Sequence, residues 1–276
     1  MGLLDGQYAS MTTGRSMDFD DLRSYVPGDD VKDIDWKSSA RSGELLIKSY
    51  RAECRHTLAF VVPSGGSLAS AATLTHSKID VVLATIGVLA WVACHQGDYV
   101  TVIAPGKDGP SVARPSYRDT QIEHMLAGLD AGCRLETPDP DLVELLDLTA
   151  SGLRRRCIVV VVLDDWDPRP ADVDALASLC ARHEVLAIEV SDLDLTDPAL
   201  AAVPTRDQAS GQPVPGFVAR DRQVREQAVA AQQERARRRG HTLDRLGIIH
   251  ESVADVDDSV AAIVRLLERM RHASRH

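Results

Sequence analysis

Short apolar runs alternate with longer amphipathic stretches along most of the chain. The runs have the length of strands, and the stretches between them repeat apolar residues at helical spacing. Strands are predicted at residues 45–50, 58–62, 99–104, 158–163, 185–190 and 248–253. Helices are predicted at residues 77–96, 120–129, 140–154, 170–183, 219–239 and 256–271, with a loop at 107–118. Residues 191–218 are predicted to form either a long irregular crossing or a short hairpin around Gly211 and Gln212. This alternation predicts an α/β fold, a mostly parallel sheet covered by helices on both faces.

Composition narrows the class of protein. The 276 residues are 44% hydrophobic and 26% charged, which suffices for one large α/β domain. A net charge of -10 argues against a general nucleic-acid binder, because phosphate contacts need a basic surface. The five cysteines are widely spaced and include no C-x-x-C pair, so they predict reduced thiols rather than a zinc site or a disulfide framework.

The most apolar window, residues 79–94, includes Asp80 and is too short to cross a bilayer comfortably, so it is predicted to be a core helix. The first twelve residues lack the basic and apolar regions of a signal peptide. We therefore expect a cytoplasmic protein with no membrane span in this chain.

Residues 14–41 depart from the rest in composition, because aspartates alternate there with arginines and lysines. Turn chemistry at Pro27 and Gly28 predicts that Asp29 or Asp30 caps a helix. The ordered pattern closely resembles the signature of the DUF58 family, whose members carry a von Willebrand factor A-like domain. The matching residues are Arg23, Tyr25, Pro27, Gly28, Asp29, Asp30, Ile34, Asp35, Trp36, Ala40 and Arg41, while Lys32 stands where the family has arginine.

The resemblance implies two parts, a signature segment at residues 1–56 packed on a von Willebrand A-like domain at residues 57–276. It also implies a MoxR-type AAA+ ATPase as partner in a chaperone-like or maturation system. The sequence has no G-x-x-x-x-G-K-[ST] motif, so nucleotide hydrolysis is assigned to the partner and no cofactor is expected. Partner contacts are predicted at Arg23, Tyr25, Asp29, Asp30, Lys32, Asp35, Trp36 and Arg41. The alternative, that these residues only attach the segment to the sheet, stays open.

In von Willebrand A-like domains the loop after the first strand of the sheet resembles Asp-x-Ser-x-Ser and holds a divalent cation. Here Pro63 stands at the Asp position and Gly65 at the first Ser. Ser64, Ser67 and Asp165 are what remains of the metal-site loops, and we expect no ordered Mg²⁺ or Ca²⁺ there. Asp192 follows a later strand and resembles the Asp that the family places there, although capping of the next turn is the favoured interpretation.

Two other functions remain as alternatives. Gly65-x-Ser67-x-Ala69 approximates a nucleophile elbow, and Ser67, Asp165 and His250 occur in the chain order of an α/β-hydrolase. The arginine-rich helix 219–239 could bind nucleic acid, although a solvated helix whose basic end complements its own dipole is the favoured interpretation.

Overall fold

The computed structural model describes residues 17–26, 31–52, 56–106, 109–197, 199–200, 203–208 and 210–273. The chain divides into two compact units, residues 1–55 and residues 56–276. In the smaller unit, β1 (Met17–Ser24) pairs antiparallel with β2 (Leu46–Ala52). A 3-10 turn (Val31–Asp33) and helix α1 (Trp36–Ser42) lie between the two strands in sequence.

Helix α1 begins at a cap that differs from the predicted one. The Asp35 carboxylate accepts a hydrogen bond from the backbone N–H of Ser38 at 3.0 Å, and the helix ends at Gly43, whose φ is 77°. Such a left-handed residue favours glycine. The caps predicted at Asp29 and Asp30 lie outside the described residues.

The larger unit contains the predicted alternation of strands and helices. Its strands are β3 (Thr57–Val61), β4 (Tyr99–Gly106), β5 (Gly109–Val112), β6 (Ile158–Leu163), β7 (Glu184–Val190) and β8 (Ile249–Val253). Its helices are α2 (Gly66–Ala69), α3 (Lys78–His95), α4 (Asp119–Gly132), α5 (Leu142–Gly152), α6 (Pro170–Cys180), α7 (Phe217–Arg220), α8 (Arg222–Arg245) and α9 (Ser259–Ala273). A further 3-10 turn, Val256–Asp258, precedes α9.

The six strands form one sheet in the order β5-β4-β3-β6-β7-β8. Every pairing is parallel except that of β5 with β4. The predicted fold class, α/β with a mostly parallel sheet, is therefore confirmed. The prediction of a loop throughout residues 107–118 is wrong at Gly109–Val112, which returns along β4 as an edge strand.

Side chains on the strands alternate between two buried layers. Ala59 and Val61 of β3 belong to a cluster with α5 and α6, which includes Leu145 and Leu176. Phe60, between them in sequence, is fully buried outside that cluster. Helix α3 packs on α4 and α9. The sheet therefore has apolar layers on both faces, as its continuous apolar strands predict.

Helix α3 is the most apolar helix of the described chain. A capping box joins Ser77 and Asp80 at its start, and nine of its 18 residues are buried. Among the described residues it is the one helix long and apolar enough to cross a membrane by length and composition.

The predicted helix at residues 219–239 is interrupted at Asp221. Its carboxylate accepts hydrogen bonds from the N–H groups of Gln223 and Val224, so α7 ends there and α8 begins. Helix α8 runs to Arg245, beyond the predicted end, and Leu243 is its one buried residue.

Candidate functional site

A cleft of about 1000 Å³ lies at the carboxyl ends of the three central strands, β3, β6 and β7. The cleft is lined by residues from α2, from the loop after β6, from residues 192–196 and 205–208, and from α8, together with Val214. Ligands of parallel α/β sheets bind at this edge, and the volume lies at the upper end of the range for ligand sites. This cleft is therefore the candidate site.

A lysine ammonium lies between two carboxylates at the buried end of the cleft. Lys78 Nζ is 2.6 Å from Asp164 Oδ1 and also forms an ion pair with Asp192 Oδ1. The hydroxyl of Ser67 donates a hydrogen bond to the other oxygen of Asp164, Oδ2. Lys78 is only 3% exposed. Four side chains from four segments are thus joined, and we call them the Lys78 cluster.

The topology of the sheet explains why these residues meet. Asp164 is the first residue after β6, and Asp192 is the second after β7. Because β6 and β7 are parallel neighbours, their carboxyl ends place the two carboxylates side by side. Lys78 is the first residue of α3, so its backbone is positioned by the Ser77 cap.

The pKa of Lys78 reflects two opposing effects. Burial alone would lower it, but the attraction of Asp164 and Asp192 outweighs burial, so the pKa of Lys78 lies above its ordinary value of 10.5. Lys78 is therefore positively charged at physiological pH.

The loop before α2 is closely packed against residues 137–139. A Cβ atom added to Gly65 would lie 2.5 Å from Asp139 Oδ1 and 2.8 Å from its Cα. Asp139 Oδ1 also accepts a hydrogen bond from the backbone N–H of Ser67 at 2.8 Å. The N–H of Gly66 donates to the Thr137 carbonyl at 2.8 Å. A serine side chain at position 65, as in the family pattern, would therefore require the 137–139 segment to move.

The structure separates the three residues predicted for the metal-site loops. Ser67 joins the Lys78 cluster, whereas Ser64 is buried and does not line the cleft. Asp165 points to α8 instead: its Oδ1 accepts from Arg239 Nη1 at 2.7 Å, and Arg235 Nε is 3.6 Å from its Oδ2. The carboxylate beside Ser67 is Asp164, one residue earlier than predicted.

A second ionic group extends from Asp165 across the last two strands. Arg239 Nε donates to Glu189 Oε2 at 3.0 Å, and His250 Nδ1 is 2.9 Å from Glu189 Oε1. The hydrogen bond to Glu189 raises the pKa of His250 above 6.5. Burial would raise the pKa of Glu189, but His250 and Arg239 outweigh burial and hold it below 4.5.

These contacts bear directly on the hydrolase alternative. A serine nucleophile needs a base within hydrogen-bond reach, and that base needs its own orienting group. The two ring nitrogens of His250 lie beside Glu189 and, at 3.4 Å, Asp244. Ser67 instead donates to Asp164. The predicted triad of Ser67, Asp165 and His250 is therefore not assembled.

The basic run on α8 is partly neutralised within the protein. Ion pairs join Arg222 to Glu226, Arg237 to Glu234, and both Arg235 and Arg239 to Asp165. Such pairing is typical of a solvated helix face, and it leaves fewer free cations for nucleic acid.

The residues predicted for partner contact lie in the smaller unit. Trp36 is 63% exposed, Lys32 and Arg41 are exposed, and Tyr25 is half-buried. Asp35 serves as the α1 cap. Asp29, Asp30 and the side chain of Arg23 lie outside the described residues. A partner surface on this unit stays a prediction.

Four residues of the site were not found from sequence in their actual roles: Lys78, Asp139, Asp164 and Asp192. Asp192 pairs with Lys78 rather than capping a turn as predicted. A signal did exist for Lys78, since it is a lone cation at the start of a very apolar helix. Among the described residues, no group of three or more His, Cys, Asp or Glu side chains is arranged to hold a metal ion.

Comparison with known proteins identifies the family to which the chain belongs. The family model "Protein of unknown function DUF58" matches residues 21–238. The chain is 29% identical over 223 residues to "Uncharacterized protein Rv1480" of Mycobacterium tuberculosis and, equally, to "Uncharacterized protein Mb1516" of Mycobacterium bovis. These alignments cover 76% of this chain and 66% of each relative, so the chain spans slightly less than two thirds of their length.

Solved structures with related folds are more distant. An aerotolerance-related membrane protein from Bacteroides fragilis has 13% identity and a TM-score of 0.47, covering 78% of this chain and 99% of that one. The pilus adhesin SpaC from Lactobacillus rhamnosus GG has 10% identity and a TM-score of 0.48, covering 81% and 31%. A von Willebrand factor type A protein from Catenulispora acidiphila has 14% identity and a TM-score of 0.35, covering 60% and 41%.

Proposed function

Because the chain belongs to the DUF58 family, we propose that it is a non-enzymatic interaction protein of the cytoplasm, whose cleft and signature segment contact a partner protein. The partner implied by the family resemblance is a MoxR-type AAA+ ATPase, in a chaperone-like or maturation system. In this proposal the metal-site loops have lost their metal function and keep a structural one.

The Lys78 cluster is the observation that carries this proposal. Its lysine is paired twice, and its serine hydroxyl donates to Asp164 rather than to a histidine base, so the Ser-His-Asp arrangement of an α/β-hydrolase is not formed there. The arrangement joins four segments of the chain at the buried end of the cleft. A rigid edge with an open cleft suits recognition of another protein better than covalent chemistry.

The charge of the cleft suggests what part of a partner it would accept. Its lining includes eight aspartates but only four cationic side chains, so the surface has an acidic excess. Complementary charge steers association and selects the partner surface. We therefore propose that a basic segment of the partner enters the cleft.

A charge-reversal pair tests this use of the cleft. Asp167 is exposed and lines the cleft, whereas Asp174 is exposed on α6 and does not. With the purified MoxR-type ATPase of the same host immobilised, Asp167→Lys should weaken binding by roughly tenfold or more, equivalent to about 1.4 kcal/mol. Asp174→Lys has the same charge change and should bind within about twofold of wild type. Equal effects of the two variants would refute the cleft as the docking site.

The hydrolase alternative has its own test. A serine-directed phosphonate probe should not label the protein, and Ser67→Ala should leave ATPase binding unchanged. Stoichiometric labelling of Ser67, with ester hydrolysis lost in Ser67→Ala, would establish an enzyme instead.

A further inference from the structure

The Lys78 cluster has the composition of a cation site. Two carboxylates and a hydroxyl converge from the ends of β6 and β7 and from α2, and hard divalent cations bind such oxygen ligands. The position between the two carboxylates is taken by the ammonium of Lys78. The cation therefore belongs to the chain itself.

A divalent ion does not fit the site beside this ammonium. It would lie within a few ångströms of a like charge at a place where little solvent can screen the repulsion, because Lys78 is only 3% exposed. If an ion displaced the Lys78 side chain, its ammonium would lose both of its carboxylate partners. Pro63 supplies no carboxylate, and Asp139 fills the space beside Gly65. The residues present thus disagree with a metal site of the type that the fold family implies.

We propose that Lys78 is a built-in replacement for the divalent cation, which holds the loops after β6 and β7 together without any metal. This inference deepens the proposed function, since it makes the shape of the docking cleft independent of divalent ions. It does not require that the partner be identified. Its chemistry is also distinct, because a tethered cation is never exchanged. Lys78 is only 3% exposed, so its ammonium is not open to a partner carboxylate as a metal site would be.

Removal of the ammonium provides the direct test. In Lys78→Ser the carboxylates of Asp164 and Asp192 lose their cation, and with Ser67 they form an oxygen site open to an ion from solution. We expect this variant to bind one equivalent of Mn²⁺ by calorimetric titration, with a Kd of about 10⁻⁴ to 10⁻³ M, as for oxygen sites with few carboxylates. Its melting temperature should rise with Mn²⁺ concentration and fall in EDTA. Wild type should show neither binding nor a thermal shift.

The matched control is Lys78→Ser combined with Asp164→Asn, which removes one carboxylate without restoring the ammonium. This double variant should bind Mn²⁺ at least about tenfold more weakly than Lys78→Ser. A folded Lys78→Ser protein that binds no Mn²⁺ would overturn the proposal. So would binding that the Asp164→Asn change leaves intact, since the ion would then lie elsewhere.

A second measurement uses wild type and so does not depend on the folding of a variant. In a two-dimensional ¹H–¹⁵N spectrum, paramagnetic Mn²⁺ should leave the amide signals of residues 163–167 and 192–193 no more broadened than those of the opposite edge of the sheet. Selective broadening of those signals would show that a metal enters the site despite Lys78, and would refute the proposal. The effect of Asp167→Lys on ATPase binding tests the docking cleft, whereas the Mn²⁺ measurements test the role of Lys78. Failure of one proposal can therefore be distinguished from failure of the other.

Discussion

Asp164 and Asp165 are adjacent and identical in type, yet their removal should have very different effects on stability. Asp164→Ala leaves the buried ammonium of Lys78 with one partner, Asp192, whose side chain is 38% exposed. Breaking one side of a buried ion pair costs about 3 to 5 kcal/mol. Because Asp192 remains, we expect a loss of about 3 kcal/mol. Ser67 also loses its acceptor in this variant.

Asp165→Ala removes a partly exposed carboxylate that pairs with Arg235 and Arg239, and Arg239 keeps its other partner, Glu189. The Asp165 side chain is 37% exposed, and exposed pairs contribute about 1 kcal/mol or less. For a unit of this size, 1 kcal/mol corresponds to roughly 2 to 4 °C in melting temperature. Asp164→Ala should therefore lower the melting temperature by roughly 6 to 12 °C, and Asp165→Ala by less than about 4 °C.

Differential scanning fluorimetry at neutral pH and one fixed scan rate compares the two variants directly. A third variant, Asp164→Ala combined with Lys78→Met, tests the cause. It removes the buried charge that has lost one of its two partners, and it should melt above Asp164→Ala, although it carries one more substitution. The reasoning would be refuted if Asp165→Ala were at least as destabilising as Asp164→Ala, or if the Lys78→Met change lowered the melting temperature further.

Three further outcomes follow from other contacts. Gly65→Ser should be destabilised without gaining Mg²⁺ affinity, because Asp139 occupies the added side-chain space; calorimetry and thermal melts check both points. His250→Gln should destabilise the protein most below about pH 6.5, since the raised pKa of His250 means that its stabilisation by Glu189 is complete there and is lost as pH rises through the folded-state pKa. Equal losses at pH 6 and pH 9, or a larger loss at pH 9, would contradict this sign. Trp36→Ala should change the melting temperature little, because that side chain is 63% exposed, while a loss of ATPase binding would place the partner surface on the smaller unit.

The fold was largely predictable because its signals are local. Continuous apolar strands such as Ile158–Leu163 and caps such as Ser77 are visible in a few adjacent residues. The edge strand Gly109–Val112 was missed because its stability comes from pairing with β4 rather than from its own composition.

The site was less predictable because it depends on the direction in which side chains point and on contacts between residues that are distant in sequence. Whether Asp164 or Asp165 faces Ser67 is decided by the residue at which β6 ends, and a shift of one position exchanges the two roles. Lys78 is distant in sequence from both of its partners, so no spacing motif connects them. The DUF58 signature, in contrast, is a local pattern, and the family was identified correctly from it.

Helix α8 forms part of the wall of the cleft although it has almost no core of its own. Its 24 residues extend about 36 Å, and its one buried side chain, Leu243, lies near the last turn. The residues that line the cleft, Ala228, Gln232 and Arg235, lie about two to four turns before that anchor. Such a segment opens at a small fraction of the global unfolding free energy. Amide hydrogens in the first half of α8 should therefore exchange much faster than those near Leu243. The cleft then varies in width as this half of the helix moves, and a partner can bind the width that fits it.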